Sequence, residues 1–319
     1  VSFNNENQDE SKYANFVAKN LGTDHTNLNV DTSNFLDTIE QMTYYFDEPF
    51  GDVSCIPTMM ISKKASNYLK VVLSGDGADE LFAGYTRHKV FNYSNLILNS
   101  PLFFKKLINK VIDSNYSFFN NFFSKNHSEF SYKIYKLKNL SNAVNHESLI
   151  DIISSHHCYN DLKNLFDNFK PIKYKDDKLG LRDLLEIDLS TYLPSDILVK
   201  SDRSSMAYGL EMREPFLDDK LIDFSKKIPD KYLIYNGQTK YLLKQILEKY
   251  FPKDFVNRPK HGFNPPLENW LNSQLKNDIL NMQDDNLFFD IFKINKKYII
   301  NYIKSFYKSK KNVSPNFIW

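Results

Sequence analysis

The chain has 319 residues, with 41 Lys and Arg against 39 Asp and Glu and a formal net charge of +2. That length allows one large domain or two ordinary ones, each able to bury a core. The charge balance lacks the excess of basic residues that is typical of proteins binding nucleic acid or anionic membranes. The sequence has no run of about 18 apolar residues that could span a bilayer, and its two cysteines cannot form a disulfide framework. We therefore expect a cytoplasmic globular protein that binds neither nucleic acid nor a membrane.

Helical and strand patterns alternate over the first ninety residues. Apolar positions at helical spacing predict three helices, over 9–21, 32–46 and 56–67. Gly22 is predicted to end the first helix, and the segment 47–52 to end the second. Alternation predicts a short strand over 25–30, and a nearly continuous apolar run predicts a buried strand over 68–73.

The order strand, helix, strand, helix is typical of a parallel α/β sheet, whose ligands bind beyond the carboxyl ends of the strands. After about residue 90 the patterns are helical. We therefore predict an α/β fold with a parallel Rossmann-like sheet followed by a large helical part. The expected division is a partial α/β core over 1–90 and a mostly helical remainder over 91–319, with a helical insertion at about 91–175.

Both ends of the sequence look internal. The chain starts on an alternating apolar pattern at Val1 without a Met, and it closes on the apolar residues 317–319 without a helix stop signal. We expect an internal piece of a longer protein.

The most informative segment is LSGDGADELFAGY at 73–85, where a predicted strand runs into a predicted helix. Gly75 and Gly77 let the backbone adopt positive φ and approach a ligand closely. The N–H groups of such a turn, leading into a helix, form an anion site.

The same turn carries three carboxylates, Asp76, Asp79 and Glu80, and no lysine, so a bare phosphate would be repelled. Hard carboxylates suit Mg²⁺ bridged to phosphate oxygens, which makes a cation-mediated phosphate site our prediction. The alternative is that these acidic residues only complement the dipole of the helix that follows.

Seven sequence blocks, in this order, resemble the synthetase half of glutamine-dependent asparagine synthetases. They are DESKYA at 9–14, LGTDH at 21–25, DEPF at 47–50, SGDGADELFAGY at 74–85, YLPSDILVKSDRSSMAYGLEMREPFLD at 192–218, TKYLLK at 239–244 and RPKHGF at 258–263. The blocks extend over most of the chain, and only 91–175 match loosely.

The resemblance implies an adenine nucleotide alpha hydrolase (ATP pyrophosphatase) fold and a two-step reaction that uses ATP and Mg²⁺. The side-chain carboxylate of aspartate attacks the α-phosphate, which gives β-aspartyl-AMP and pyrophosphate, and ammonia then displaces AMP to give asparagine. In the complete family enzyme, an N-terminal glutaminase domain releases this ammonia from glutamine. The oligomeric state is left open, a homodimer included.

Individual residues take on roles through the resemblance. Asp76 occupies the acidic position tied to forming the aspartyl-AMP intermediate, where asparagine synthetases often have the longer Glu. Lys240 matches the lysine that stabilises charge at the α-phosphate and pyrophosphate, although without the match it would be interpreted as a solvated lysine on a helix. Asp79 matches a Mg²⁺ ligand. Nucleotide contacts are implied at Val1, Ser74, Gly75 and Gly77.

The chain departs from the family pattern in what it lacks. The pyrophosphate-binding loop Ser-Gly-Gly-x-Asp-Ser does not occur in this sequence and is expected upstream of Val1, together with the glutaminase domain. The family's last helix is expected to continue beyond Trp319. We therefore expect that this piece alone cannot complete catalysis.

Three other groups of residues are candidates for function. One is a set of charged residues of alternating sign, interpreted as an ion-pair network between helices and sheet rather than a wall of the cleft: Asp202, Arg203, Glu211, Arg213 and Asp218. The segment 47–49 is equally compatible with a substrate contact and a turn. The set His156, His157 and Cys158 has no second ligand pair at zinc spacing, so we expect no metal there.

Two rival functions remain. A relative of the synthetases could amidate another carboxylate, such as a sugar acid, or close a lactam or peptide ring. Alternatively, the chain could be a noncatalytic nucleotide-binding relative.

Overall fold

The structure, a computed structural model, describes residues 2–3, 10–30, 33–89, 159–166, 180–258, 265–309 and 315–319. These residues are mostly helical, with small parallel sheets. They form two compact units, Val1–Tyr85 with Arg182–Leu267, and Thr86–Leu181 with Glu268–Trp319. Most of the predicted insertion at 91–175 lies outside the described residues, and the predicted division at residue 90 stays a prediction.

The α-helices of the described residues follow one another along the chain as α1 (Ser11–Leu21), α2 (Ser33–Tyr45), α3 (Cys55–Ser66), α4 (Ala78–Leu81), α5 (Tyr159–Leu165), α6 (Leu181–Ile187), α7 (Leu198–Met206), α8 (Asp219–Lys227), α9 (Tyr241–Leu247), α10 (Lys253–Val256), α11 (Leu267–Asn272), α12 (Lys276–Met282), α13 (Asn286–Phe292), α14 (Lys296–Ser309) and α15 (Pro315–Ile318). A π-helix, Asp188–Ile197, joins α6 to α7, and short 3₁₀ helices lie at Pro215–Leu217 and Asp230–Tyr232.

Two pairs of parallel strands lie in the first unit. Strand β1 (Ser2–Phe3) pairs with β2 (Asn29–Val30), and β3 (Val71–Leu73) pairs with β4 (Glu211–Arg213). Strand β4 was not predicted, because three residues that include two charges give no strand pattern. The predicted parallel pairing is confirmed, and within the described residues it is limited to two-stranded sheets, so a larger Rossmann-like sheet stays a prediction.

The prediction of a buried strand over 68–73 is wrong in two respects. The strand is only three residues long, and the side chains of Val71 and Leu73 are 39% and 71% exposed. Among the described residues β3 has a single partner strand. Burial of a parallel strand requires neighbours on both edges and layers on both faces, and an apolar run cannot supply them by itself.

The three helices predicted near the start are confirmed within a few residues. Helix α1 ends at Gly22, whose φ of 64° is left-handed and whose N–H donates to Ala18 O. The segment 47–52 is free of regular secondary structure, as expected. The strand predicted over 25–30 is reduced to Asn29–Val30.

A nearly continuous helical run leads from Leu181 to Met206 and contains the π-helix. Pro194 lies inside that π-helix, and the N–H of Leu198 bonds to the O of Leu193, five residues back. Proline removes one helix donor, and the wider π spacing provides a way to continue the helix past it. The run leads into α7, whose Ser201 contacts Asp76 in the turn that follows β3.

Each unit has its own buried apolar residues. In the first unit the fully buried large side chains include Phe35, Ile56, Met59, Leu81, Phe82, Leu184, Leu210 and Leu233. In the second unit they include Leu271, Ile303 and Phe306.

Candidate functional site

The glycine-punctuated turn lies at the carboxyl end of β3. The N–H of Ser74 donates to Arg213 O at 2.9 Å, which extends the β3–β4 ladder by one bond into the turn. Gly77 has a φ of 87° and precedes α4, as the sequence predicted. Gly75 does not use the conformational freedom that its missing side chain allows, so Gly77 provides the left-handed step of this turn.

Asp76 is held within the turn by hydroxyl groups. Its Oδ2 accepts from Ser74 Oγ at 3.0 Å and from Ser201 Oγ, on α7, at 2.7 Å. The N–H of Asp76 in turn donates to Ser74 Oγ at 3.2 Å. The two hydroxyl bonds fix the orientation of the carboxylate without placing a cation on it, and the third bond ties the backbone of Asp76 to Ser74.

Asp79 and Lys240 form an ion pair. Lys240 Nζ lies 3.0 Å from Asp79 Oδ1, with side-chain exposures of 27% and 23%. Lys240 immediately precedes α9 and has a left-handed φ of 52°, which is unfavourable for a residue with a side chain. The alternative of a solvated lysine on a helix is therefore wrong, because this lysine lies before the helix and is paired.

Gly84 makes room for this ion pair. A Cβ built on Gly84 would overlap Asp79 Oδ1 and Lys240 Cε, and the N–H of Gly84 donates to Asp79 O at 2.8 Å. The backbone after α4 thus passes directly against the pair, and only glycine allows this approach.

The neighbouring residue, Glu80, carries a carboxyl group that is buried in the protein. Its residue is 1% exposed and it accepts a hydrogen bond from Tyr85 OH. Burial raises the pKa of Glu80, and the Tyr85 hydrogen bond opposes this shift only in part. Glu80 is thus a buried, hydrogen-bonded group, and the dipole interpretation stays open because both Asp79 and Glu80 lie in the first turn of the four-residue helix α4.

Glu214 adds a further carboxyl group near the turn, directly after β4. Burial raises its pKa, and the charge of Asp76 raises it further. Glu214 thus lies within the electrostatic influence of Asp76 at this end of the sheet.

Helix α7 is tied to the segment that precedes α3. Lys200 Nζ bonds Asp52 Oδ2 at 2.9 Å and Ser54 Oγ at 3.0 Å. Burial would raise the pKa of Asp52, but the Lys200 charge and the Ser54 hydrogen bonds outweigh it and hold this pKa below its ordinary value. One turn further along α7, Arg203 pairs with Asp47 at 2.7 Å on the surface.

The proposed ion-pair network among the charged residues of 202–218 exists only as separate exposed pairs. Arg213 bonds Glu211 within β4 itself, and both side chains are more than half exposed. Asp218 caps α8 by accepting from the N–H of Lys220 at 3.0 Å. Pairs this exposed contribute little stability, so the network interpretation is wrong for these residues.

Several predicted positions lie outside the described residues: Val1, His156, His157, Cys158 and most of RPKHGF at 258–263. Within the described part of the chain, no group of three or more His, Cys, Asp and Glu side chains is placed to hold a metal ion. No helix described there is long and apolar enough to cross a membrane.

Sequence reasoning missed the residues that hold the predicted ones in place. Ser201 and Lys200 lie inside a recognised block, and Gly84 lies inside another, but no local pattern says which of them reaches the turn. Their partners are distant in sequence: Ser201 and Asp76 are 125 positions apart. Only the hydrogen-bond partners in the folded chain identify them.

Similar proteins were found for nearly the whole chain. Residues 1–304 match the asparagine synthase family. Glutamine-hydrolysing asparagine synthetase 1 of Bacillus subtilis is 28% identical over 324 residues, which cover 100% of this chain and 50% of that protein. A putative glutamine-hydrolysing asparagine synthetase of Mycobacterium bovis is 28% identical over 85% of this chain and 41% of its own length. The human glutamine-hydrolysing asparagine synthetase is 34% identical over 82 residues, which cover 25% of this chain and 15% of that protein.

The chain thus spans about half the length of the curated relatives that it matches. The family match covers far more than half of the chain, and it includes the turn at 74–85, the α7 segment and Lys240. The chain belongs to the asparagine synthase family.

Proposed function

We propose that this chain is the ATP-using synthetase part of a glutamine-hydrolysing asparagine synthetase, with aspartate as the acceptor. The observation that carries the proposal is the arrangement of Asp76, Asp79 and Lys240 at one end of the β3–β4 sheet, in a chain of the asparagine synthase family. The adenine nucleotide alpha hydrolase fold that the family implies binds its nucleotide at the carboxyl ends of parallel strands.

The first chemical step is adenylation. An oxygen of the aspartate side-chain carboxylate attacks the α-phosphorus of ATP, the bond from that phosphorus to the bridging oxygen breaks, and pyrophosphate leaves. Lys240 is proposed to stabilise the negative charge that grows on the departing phosphates, since a fixed ammonium acts more strongly in a shielded site than in water. The backbone of the turn at Ser74, Gly75 and Gly77 is proposed to contact the nucleotide.

The second step is amide formation. The nitrogen of ammonia attacks the acyl carbon, the bond from that carbon to AMP oxygen breaks, and a proton leaves the nitrogen. The ammonia is proposed to come from glutamine through a further part of the protein, because the full-length relatives are named glutamine-hydrolysing. Asp76 is proposed to act during adenylation, with its carboxylate oriented by two hydroxyl donors.

The donor chemistry fits Mg²⁺. This ion is usually held by one or two carboxylates together with phosphate oxygens, so a complete protein cage is unnecessary. Asp79 is the residue proposed to hold it. When bound, Mg²⁺ would neutralise phosphate charge.

The test is release of pyrophosphate by the full-length protein with ATP, Mg²⁺ and ammonium, with and without aspartate. Aspartate-dependent release that yields asparagine is the expected result. Release that ignores aspartate would refute the acceptor and favour another carboxylate, such as a sugar acid. No release with any acceptor would favour a noncatalytic nucleotide-binding relative.

A further inference from the structure

One oxygen of the Asp76 carboxylate accepts two hydroxyl hydrogen bonds, and the shorter one comes from outside the turn. Ser201 Oγ donates at 2.7 Å, and Ser74 Oγ donates at 3.0 Å. Ser201 is 2% exposed, so water competes little for its hydroxyl. A buried hydroxyl donor aimed at a carboxylate makes a strong, charge-assisted bond.

The helix that carries Ser201 is anchored right beside it. The preceding residue, Lys200, bonds both Asp52 and Ser54 at about 3 Å, and its side chain is only 13% exposed. These bonds resist rotation of α7 about its axis. The Ser201 hydroxyl therefore reaches Asp76 from a fixed element rather than from a loop.

The chemistry of the donor matters for the reaction. A hydroxyl orients a carboxylate without neutralising it, whereas the ammonium of Lys240 at Asp79 does both. The two hydroxyl groups therefore hold the Asp76 carboxylate in a defined orientation. Orientation is worth much in catalysis, because a misplacement of about 1 Å can cost roughly 100-fold in rate.

We propose that Ser201 is a positioning residue that holds the Asp76 carboxylate in the orientation required for adenylation. The inference rests on the proposed function and deepens it, because it assigns a role to a residue of α7 that no sequence block singles out. Ser201 acts through Asp76.

The experiment compares Ser201→Ala with Ser204→Ala in the full-length protein. Ser204 lies on the same helix and is fully buried, and its hydroxyl has no hydrogen-bond partner among the described residues. It is therefore a matched control for loss of a buried hydroxyl. We expect Ser201→Ala to lower kcat of aspartate-dependent pyrophosphate release by about 10-fold to 100-fold with little change in KM for aspartate. Ser204→Ala should stay within about 2-fold of wild type, since it removes no bond.

The outcomes separate this inference from the proposed function. Equal activity of the two variants beside an active wild type would overturn the positioning role and leave the function standing. If the wild type releases no pyrophosphate with aspartate, the proposed function fails. Urea unfolding of Ser201→Ala, Asp76→Ala and the double variant then tests whether the Ser201 and Asp76 side chains interact. Non-additive shifts of the urea midpoint support it, and additive shifts overturn it.

Discussion

Replacing Gly84 with Ala tests whether the Asp79–Lys240 pair depends on the missing side chain. The new Cβ would overlap an oxygen of Asp79 and the Cε of Lys240, so either the pair separates or the backbone shifts. Ion pairs at the surface contribute about 0–1 kcal/mol to the free energy of unfolding, and breaking a buried pair costs about 3–5 kcal/mol. Because the side chains of Asp79 and Lys240 are about a quarter exposed, losing their pair should cost about 1–2 kcal/mol. Overpacking adds about 1–3 kcal/mol, for a total loss of about 2–5 kcal/mol in the free energy of unfolding.

Activity should fall together with stability. On the proposed function, a displaced Lys240 would no longer face the charge that develops on pyrophosphate, and losing one such group typically costs about 100-fold to 1,000-fold in kcat. Two assays check this prediction: urea unfolding of the full-length protein, and aspartate-dependent pyrophosphate release at a temperature where the variant remains folded.

The control is Gly51→Ala. A Cβ there meets no atom within 4 Å and its φ is not positive, so the change should be neutral or stabilise by up to about 1 kcal/mol. The cause is isolated by Asp79→Ala, which removes the overlapping oxygen and should make Gly84→Ala less destabilising. If Gly84→Ala matches Gly51→Ala in both assays, the close approach at Gly84 has no energetic consequence and the reasoning is refuted.

Three further changes test the electrostatics. Lys240→Ala should abolish aspartate-dependent pyrophosphate release while circular dichroism stays native, and turnover like that of wild type would remove this lysine from the mechanism. Asp52→Asn should reduce the decrease in melting temperature at acid pH. The folded-state pKa of Asp52 lies below its ordinary 3.8, so its stabilising pair with Lys200 is present above pH 3.8 and is lost as pH falls through that lower pKa. An unchanged pH profile of thermal melting would contradict this. Glu80→Gln should change the melting temperature, relative to wild type, more favourably at pH 7 than at pH 4. Burial raises the pKa of Glu80, so the wild-type folded state loses stability as pH rises above 4.5, and glutamine removes this loss. Equal shifts at both pH values would argue against a buried charge.

Local patterns predicted what depends on neighbours along the chain. Helix α1 and its end at Gly22 follow from apolar spacing and from the tolerance of glycine for a left-handed φ, and both are confirmed. The same reasoning identified Gly77 as the left-handed residue before α4. At Gly75 the same freedom is not used, because a glycine permits a positive φ without requiring one.

Strands were harder to predict than helices. A strand is stabilised by partners that are distant in sequence, and β3 meets β4 across about 140 positions, as the pairing of Val71 with Glu211 shows. The charged β4 therefore escaped prediction, and the apolar β3 was wrongly expected to be buried. Charge patterns misled in a similar way, because Arg213 found its partner at Glu211 on its own strand.

By itself, the sequence determined the family, the order of the early helices and the types of residue available for phosphate chemistry. The tertiary structure decided their partners: Lys240 with Asp79 against Gly84, and Ser201 with Asp76. The physical reason is that hydrogen bonds and ion pairs act over about 3 Å and need burial to be strong. Residues separated by more than a hundred positions come that close, and become shielded from water, only when the helices and strands between them have packed.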